Sequence, residues 1–138
     1  MRGLVLQMQT SLDGYVGRKG DGPGWQVWDW GPQVTWDTSL IARFNRFFEQ
    51  ADTILLSRRI VEGGYVRHWG EMAQRFKPDS DFAFAHRIGI LRKIAFSTSG
   101  KTVGAAGVEM ASRPLAETVE ALKREPGAEA RRTRRENE

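Results

Sequence analysis

The chain has 138 residues, 40% of them apolar and 28% charged, a size and balance that fit one domain able to bury a core. It has no cysteine, which excludes disulfides and thiolate metal sites and suits a reducing cytoplasm. The net charge of +4 and pI near 9.8 permit attraction to phosphates, nucleic acid or anionic surfaces, but charge alone speaks to steering and solubility.

At the amino end, Met1-Arg2 leads only into Leu4-Val5-Leu6, too short for a signal-peptide core, and no run in the chain reaches membrane-spanning length. A soluble, cytoplasmic protein is expected. Leu4, Leu6 and Met8, with Val5 between them, predict a first strand that ends in Gln9-Thr10-Ser11-Leu12-Asp13-Gly14-Tyr15. Residues 17–24 contain four glycines and a proline and lead to Trp25, Trp28, Trp30 and Trp36. Those tryptophans read either as an apolar wall stacking on a flat ligand or as local core or dimer surface. Leu40, Ile41, Phe44, Phe47 and Phe48 follow helical spacing, with Thr38 or Ser39 placed to cap the start.

The next strand, over residues 53–56, is a continuous apolar run and predicts a position inside a sheet. It runs into Ser57-Arg58-Arg59, and a helix is expected from Ile60. A strand stopping at a helix start presents backbone N–H groups beyond the sheet edge, and two arginines there favour a phosphate. The alternative is two ordinary charges at a strand end. Tyr65, Trp69, Met72 and Phe76 repeat at helical intervals, weakened early by Gly63, Gly64 and Gly70 and ended by Pro78. Asp79-Ser80-Asp81 offers caps to a short helix with Phe82, Ala85 and Ile88. Lys93-Ile94-Ala95-Phe96-Ser97 then predicts a third strand and Val108-Glu109-Met110 a fourth. Pro114 opens a last helix with Leu115, Val119 and Leu122 on one face, closed by Pro126-Gly127. Residues 128–138, with four arginines and interleaved glutamates, read as a charged tail expected to stay disordered rather than as a nucleic-acid arm.

Strands alternating with helices predict an α/β fold with a mainly parallel sheet, whose ligands bind outside the carboxyl ends of the strands. Two familiar nucleotide-site patterns fail. Gly20-Asp21-Gly22-Pro23-Gly24 does not connect a strand directly to a helix. Ser99-Gly100-Lys101-Thr102 has Ala95 where a phosphate-cradling loop needs its first glycine, and no helix is expected after it. His68 and His86 stand too far apart for a helical pair and lack cysteine partners, so no metal is expected.

Three strand ends taken together are more specific: Ser11-Leu12-Asp13-Gly14-Tyr15, Leu55-Leu56-Ser57-Arg58-Arg59 and Phe96-Ser97-Thr98. In this order they resemble the dihydrofolate-reductase-like fold, in particular the group of the bacterial RibD C-terminal reductase domain. The resemblance covers roughly residues 1–127. It implies a three-layer α/β/α architecture and hydride transfer from NADPH to a small heterocycle, a pterin or a ribosylaminopyrimidine, as in 5-amino-6-(5-phosphoribosylamino)uracil reduction in riboflavin biosynthesis. It further implies that Ser57, Arg58, Arg59 and the amide of Ile60 bind cofactor phosphates, that Ser97 and Thr98 flank the adenosine ribose, and that Gln9, Ser11 and Asp13 face nicotinamide and substrate. Asp13 would bond a ring N–H or relay a proton; its other reading is a turn-forming residue before Gly14.

This sequence departs from the family pattern in having Ser57 for a usual glycine and Ile60 for a usual threonine. After the last helix it also lacks the family's further strand and Gly-Gly turn. The sheet therefore reads as cut short, through truncation or a frameshift near Ala128, with an open edge that predicts a homodimer. The other reading of the whole chain is a noncatalytic phosphate-ligand-binding or interaction protein derived from the same fold.

Overall fold

The computed structural model describes residues 2–8, 12–15 and 36–127. Its elements run α1 (Thr38–Gln50), β1 (Thr53–Ser57), α2 (Arg58–Glu62), α3 (Tyr65–Arg75), α4 (Ala83–Ile90), β2 (Arg92–Phe96), β3 (Val108–Met110) and α5 (Leu115–Arg124). The three strands form one sheet in the order β1-β2-β3, and both pairings are parallel. This is the α/β architecture with a parallel sheet that the alternation of apolar patterns predicts. Asp13, Trp36 and the strand ends Ser57, Ser97 and Thr98 are within the described residues; Gln9, Ser11, Trp25, Trp28, Trp30 and the tail at 128–138 lie outside them.

The principal core is aromatic. Phe48 of α1, Trp69 of α3, and Phe84, Ala85 and Ile88 of α4 are buried together with Leu91, and Phe44, Phe47, Tyr65, Met72 and Phe76 close around them. Phe84 is the pivot, only 1% exposed, with Trp36, Phe44, Phe48, Trp69 and Phe82 rings around it at centroid distances of 5.4–6.4 Å. Burying such a side chain contributes about 1.5–3 kcal/mol. Trp36 meets Phe44 edge-on at 4.7 Å and so belongs to this core, which decides between the two readings for that one tryptophan. A second cluster, Leu56, Val61 and Ala95 with Val66, Val103, Ala105, Val108 and Met110, lines the sheet near the carboxyl ends of the strands.

Helix α3 crosses α4 at Gly89. A Cβ there would lie 2.3 Å from the Ala73 Cβ and 2.7 Å from the Trp69 carbonyl oxygen, so only glycine admits this approach. The His86 Nδ1 lies 2.9 Å from the Ala73 carbonyl oxygen and ties the same pair of helices.

Several expectations are corrected. Residues 4–8 form no strand; Leu4, Val5, Leu6 and Met8 are 53–81% exposed. An alternating apolar pattern makes a strand only when a neighbour supplies hydrogen bonds, and among the described residues none pairs with it. β1, expected in the interior, is an edge of the described sheet, with Ile54 and Leu55 half-buried; β2 is the central strand. The helix expected from Ile60 starts at Arg58 and stops after five residues, because Gly63 takes its C-cap and Gly64, at φ 92°, starts α3. The caps also move. Asp37, not Thr38 or Ser39, accepts from the Leu40 N–H, while α4 is capped by Asn45 of α1, whose Oδ1 accepts from the Phe84 N–H, rather than by residues 79–81. In α5, Val119 and Leu122 turn inward but Leu115 is exposed.

The amino-terminal segment is fastened by Arg2. Its guanidinium pairs with Asp52, reaches Thr53 Oγ1 at 3.2 Å, and donates to the Leu122 carbonyl and Glu125 of α5 at 2.8 and 3.1 Å. Arg92 continues the network, binding Glu109 of β3 through two nitrogens at 2.8 and 2.9 Å and reaching Glu125 at 3.4 Å.

Candidate functional site at the carboxyl edge of the sheet

Parallel pairing sets the register Thr53 with Arg92 through Ser57 with Phe96. Ser57 and Phe96 therefore end side by side, and the chain beyond each leaves the same edge: Arg58-Arg59 from β1, Ser97-Thr98 from β2. Two of the three segments singled out in the sequence are thus neighbours. The third, around Asp13, is a turn in which Gly14 takes φ 87° and Leu12, Asp13 and Tyr15 are exposed. That geometry is what an Asp-Gly turn supplies.

Ser57 is exposed and acts as N-cap of α2, its Oγ accepting from the Ile60 N–H at 3.3 Å. The amide assigned to a phosphate by resemblance is thus held by the protein's own hydroxyl. A five-residue helix also carries little dipole, so attraction for an anion at this edge rests on the arginines. They differ. Arg58 is bound by Glu62, one turn on, through contacts of 2.5 Å to both carboxylate oxygens. Arg59 is exposed, and its side chain makes no ion pair or hydrogen bond among the described residues. Glu62 was not singled out in the sequence, although its i,i+4 spacing from Arg58 was the available signal.

On the neighbouring strand end, Ser97 is half-buried and its Oγ lies 3.3 Å from the Ser99 Oγ, while Thr98 is exposed. Gly100 turns the chain at φ 70°, and no helix follows before β3, which removes the phosphate-cradling-loop reading of Ser99-Gly100-Lys101-Thr102. Behind this edge Tyr65 packs between the two cores, and burial pushes its phenol up to about 12, so it stays protonated at neutral pH. Lys93, 4% exposed, lies further from the edge; its Nζ donates to the carbonyls of Gly89 and Leu91 at 2.8 and 2.9 Å and closes the end of α4. Burial holds its pKa below the usual lysine value, but its role is structural.

The donors present suit a phosphorylated, ribose-bearing ligand. Two guanidiniums and the hydroxyls of Ser57, Ser97 and Thr98 leave adjacent strand ends, and planar guanidinium forks match phosphate oxygens. Among the described residues, no helix is long and apolar enough to cross a membrane.

Comparison with known proteins gives one finding. A family model described as the RibD C-terminal domain matches residues 2–122, most of the chain and all three of the segments singled out in the sequence. No curated protein and no solved structure matches significantly. With its parallel α/β sheet, the chain belongs to the RibD C-terminal domain family, whose fold is dihydrofolate-reductase-like and whose role is of the reductase type in riboflavin biosynthesis.

Proposed function

We propose that this protein is an NADPH-dependent reductase acting in the cytoplasm on a small heterocycle of the ribosylaminopyrimidine or pterin type. The observation that carries the reading is the register of β1 against β2, which sets Ser57-Arg58-Arg59 beside Ser97-Thr98 at the carboxyl edge of a parallel sheet. NADPH, when bound, supplies the hydride. Arg59 holds a phosphate, the 2′-phosphate being the one that separates NADPH from NADH. Arg58 joins it once Glu62 is displaced, and Ser97 and Thr98 hydrogen-bond the adjoining ribose. Ser57 keeps the turn closed through its bond to the Ile60 N–H, so in this chain Ile60 shapes the phosphate loop and does not itself reach the ligand. Asp13, with Gln9 and Ser11, orients the heterocycle, and the Asp13 carboxylate holds a ring N–H or passes a proton.

The second reading, a noncatalytic binder of phosphorylated ligands, is favoured by one observation: the pairing of Arg58 with Glu62 leaves a single open guanidinium. Stopped mixing of the protein, NADPH and the pyrimidine substrate, followed by nicotinamide absorbance, separates the two. Substrate-dependent loss of NADPH that disappears in Asp13→Asn supports the reductase. NADPH binding with no oxidation in a single turnover selects the binder.

A further inference from the structure

The three strands are parallel, so β3 leaves the sheet at the same edge as β1 and β2. Lys93 pairs with Val108 through Ala95 with Met110, and the Ala111 N–H donates to the Ala95 carbonyl at 2.9 Å, which carries the register one residue further and brings Ala111 level with Phe96. Phe96 is in turn level with Ser57. Ser57, Phe96 and Ala111 thus form one row across the carboxyl edge, and Arg59, Thr98 and Arg113 each stand two residues beyond it. Arg113 is exposed, and its side chain makes no ion pair or hydrogen bond among the described residues. Its backbone is held, since the carbonyl accepts from Thr118 Oγ1 at 3.1 Å. Glu117 lies four positions on, the spacing by which Glu62 captures Arg58, but Arg113 precedes the first residue of α5 and the pair does not form.

On the reading of this edge as a nucleotide site, we propose that Arg113 is a further ligand-binding residue, taking a second phosphate of a nucleotide whose ribose lies over the end of β2. Arg59 and Arg113 leave strands two spacings apart, about 10 Å, with the strand end that carries the Ser97 and Thr98 hydroxyls between them. Two guanidiniums set apart in this way match two phosphates flanking one sugar, and each planar fork meets phosphate oxygens through paired N–H groups. With the 2′-phosphate on Arg59, the phosphate on the 5′ side falls to Arg113. A second uncommitted cation on the same edge also draws an anionic ligand toward it.

The test is NMR titration of the full chain and of its Arg59→Gln and Arg113→Gln variants with adenosine 2′,5′-bisphosphate and with the 2′- and 5′-monophosphates. Wild type is expected to bind the bisphosphate more tightly than either monophosphate. Arg113→Gln is expected to weaken the bisphosphate and the 5′-monophosphate at least about tenfold, the worth of a hydrogen bond to a charged group, while leaving the 2′-monophosphate within about twofold. Arg59→Gln is expected to spare the 5′-monophosphate and weaken the other two. Arg124→Gln, at the far end of α5, where Arg124 pairs with Glu120 at 3.6 Å, removes the same charge and is expected to change none of them. An exchanged pattern, with the 2′-monophosphate lost in Arg113→Gln, supports the second phosphate contact and overturns only the assignment of the 2′-phosphate to Arg59. An Arg113→Gln chain that binds the bisphosphate like wild type, or two arginine variants that lose the same monophosphate, overturns the proposal while the nucleotide reading stands. A wild type that binds none of the three ligands overturns both.

Discussion

Arg58 and Arg59 are adjacent in sequence and yet do different things. One is held by Glu62 and the other stands in solvent, a distinction set by which of them is one helical turn from a carboxylate. Arg59→Ala is therefore expected to leave stability within about 0.5 kcal/mol, as exposed substitutions do, while weakening NADPH binding about tenfold or more. Calorimetric titration beside a urea melt checks both halves. Glu62→Gln should act in the opposite direction, freeing Arg58 and tightening NADPH by about two- to fivefold, in line with the small worth of an exposed pair. Sequence reading found both arginines because Arg-Arg after an apolar strand is a strong local signal. It missed the difference between them because that lies in side-chain pairing. The Ile60 amide shows the same limit: Ser57 Oγ takes it, and a serine at this turn reads equally as cap or as ligand.

Local patterns carried most of the elements. β3 and α3 fall where their periodicities place them, and β2 shifts by one residue. What local pattern could not supply came from elsewhere in the chain. The cap of α4 is Asn45, far back on α1, whose Oδ1 serves the Phe84 N–H and whose Nδ2 donates to the Asp81 carbonyl. Asn45→Ala leaves that N–H without its partner at the largest fully buried side chain, Phe84, and is expected to cost about 1–3 kcal/mol in urea unfolding. The crossing of α3 and α4 was equally invisible, since Gly89 reads as a weak spot in a helix until Ala73 is seen against it. Gly89→Ala would raise intrinsic helix propensity, yet the clash at 2.3 Å should dominate and destabilise by about 1–3 kcal/mol. A stabilised variant would show that the two helices can separate at no cost. The amino-terminal segment failed in the reverse sense: residues 4–8 have the alternation of a strand, but a strand forms only where it pairs, and they pair with neither edge of the described sheet.

Across the whole molecule, charge fastens what apolar burial leaves loose. Arg2 and Arg92 join the amino-terminal segment, the foot of β1, β3 and α5 through Asp52, Glu109 and Glu125, whereas α5 itself buries only Leu122. The hydrogen bonds from Arg92 hold the Glu109 carboxyl below its ordinary value of about 4.5. A carboxylate so depressed adds stability that is complete above the unfolded value and is lost as pH falls through the folded one. Melting temperature is thus expected to be level from neutral pH to about 5 and to drop below the ordinary carboxylate range. Arg92→Gln should flatten that drop, and because Glu109 is largely exposed the effect should shrink in high salt. None of this clasp was legible in the sequence, where its charges lie scattered over more than a hundred positions, while the parallel α/β class was legible from the alternation of apolar patterns. The central claim concerns the carboxyl edge of the sheet, and thermal unfolding of the full chain titrated with NADPH and with NADH tests it most directly. The account predicts a melting temperature that climbs with NADPH, far less with NADH, and loses the difference in Arg59→Ala; equal or absent shifts with the two nucleotides at millimolar concentration would contradict it.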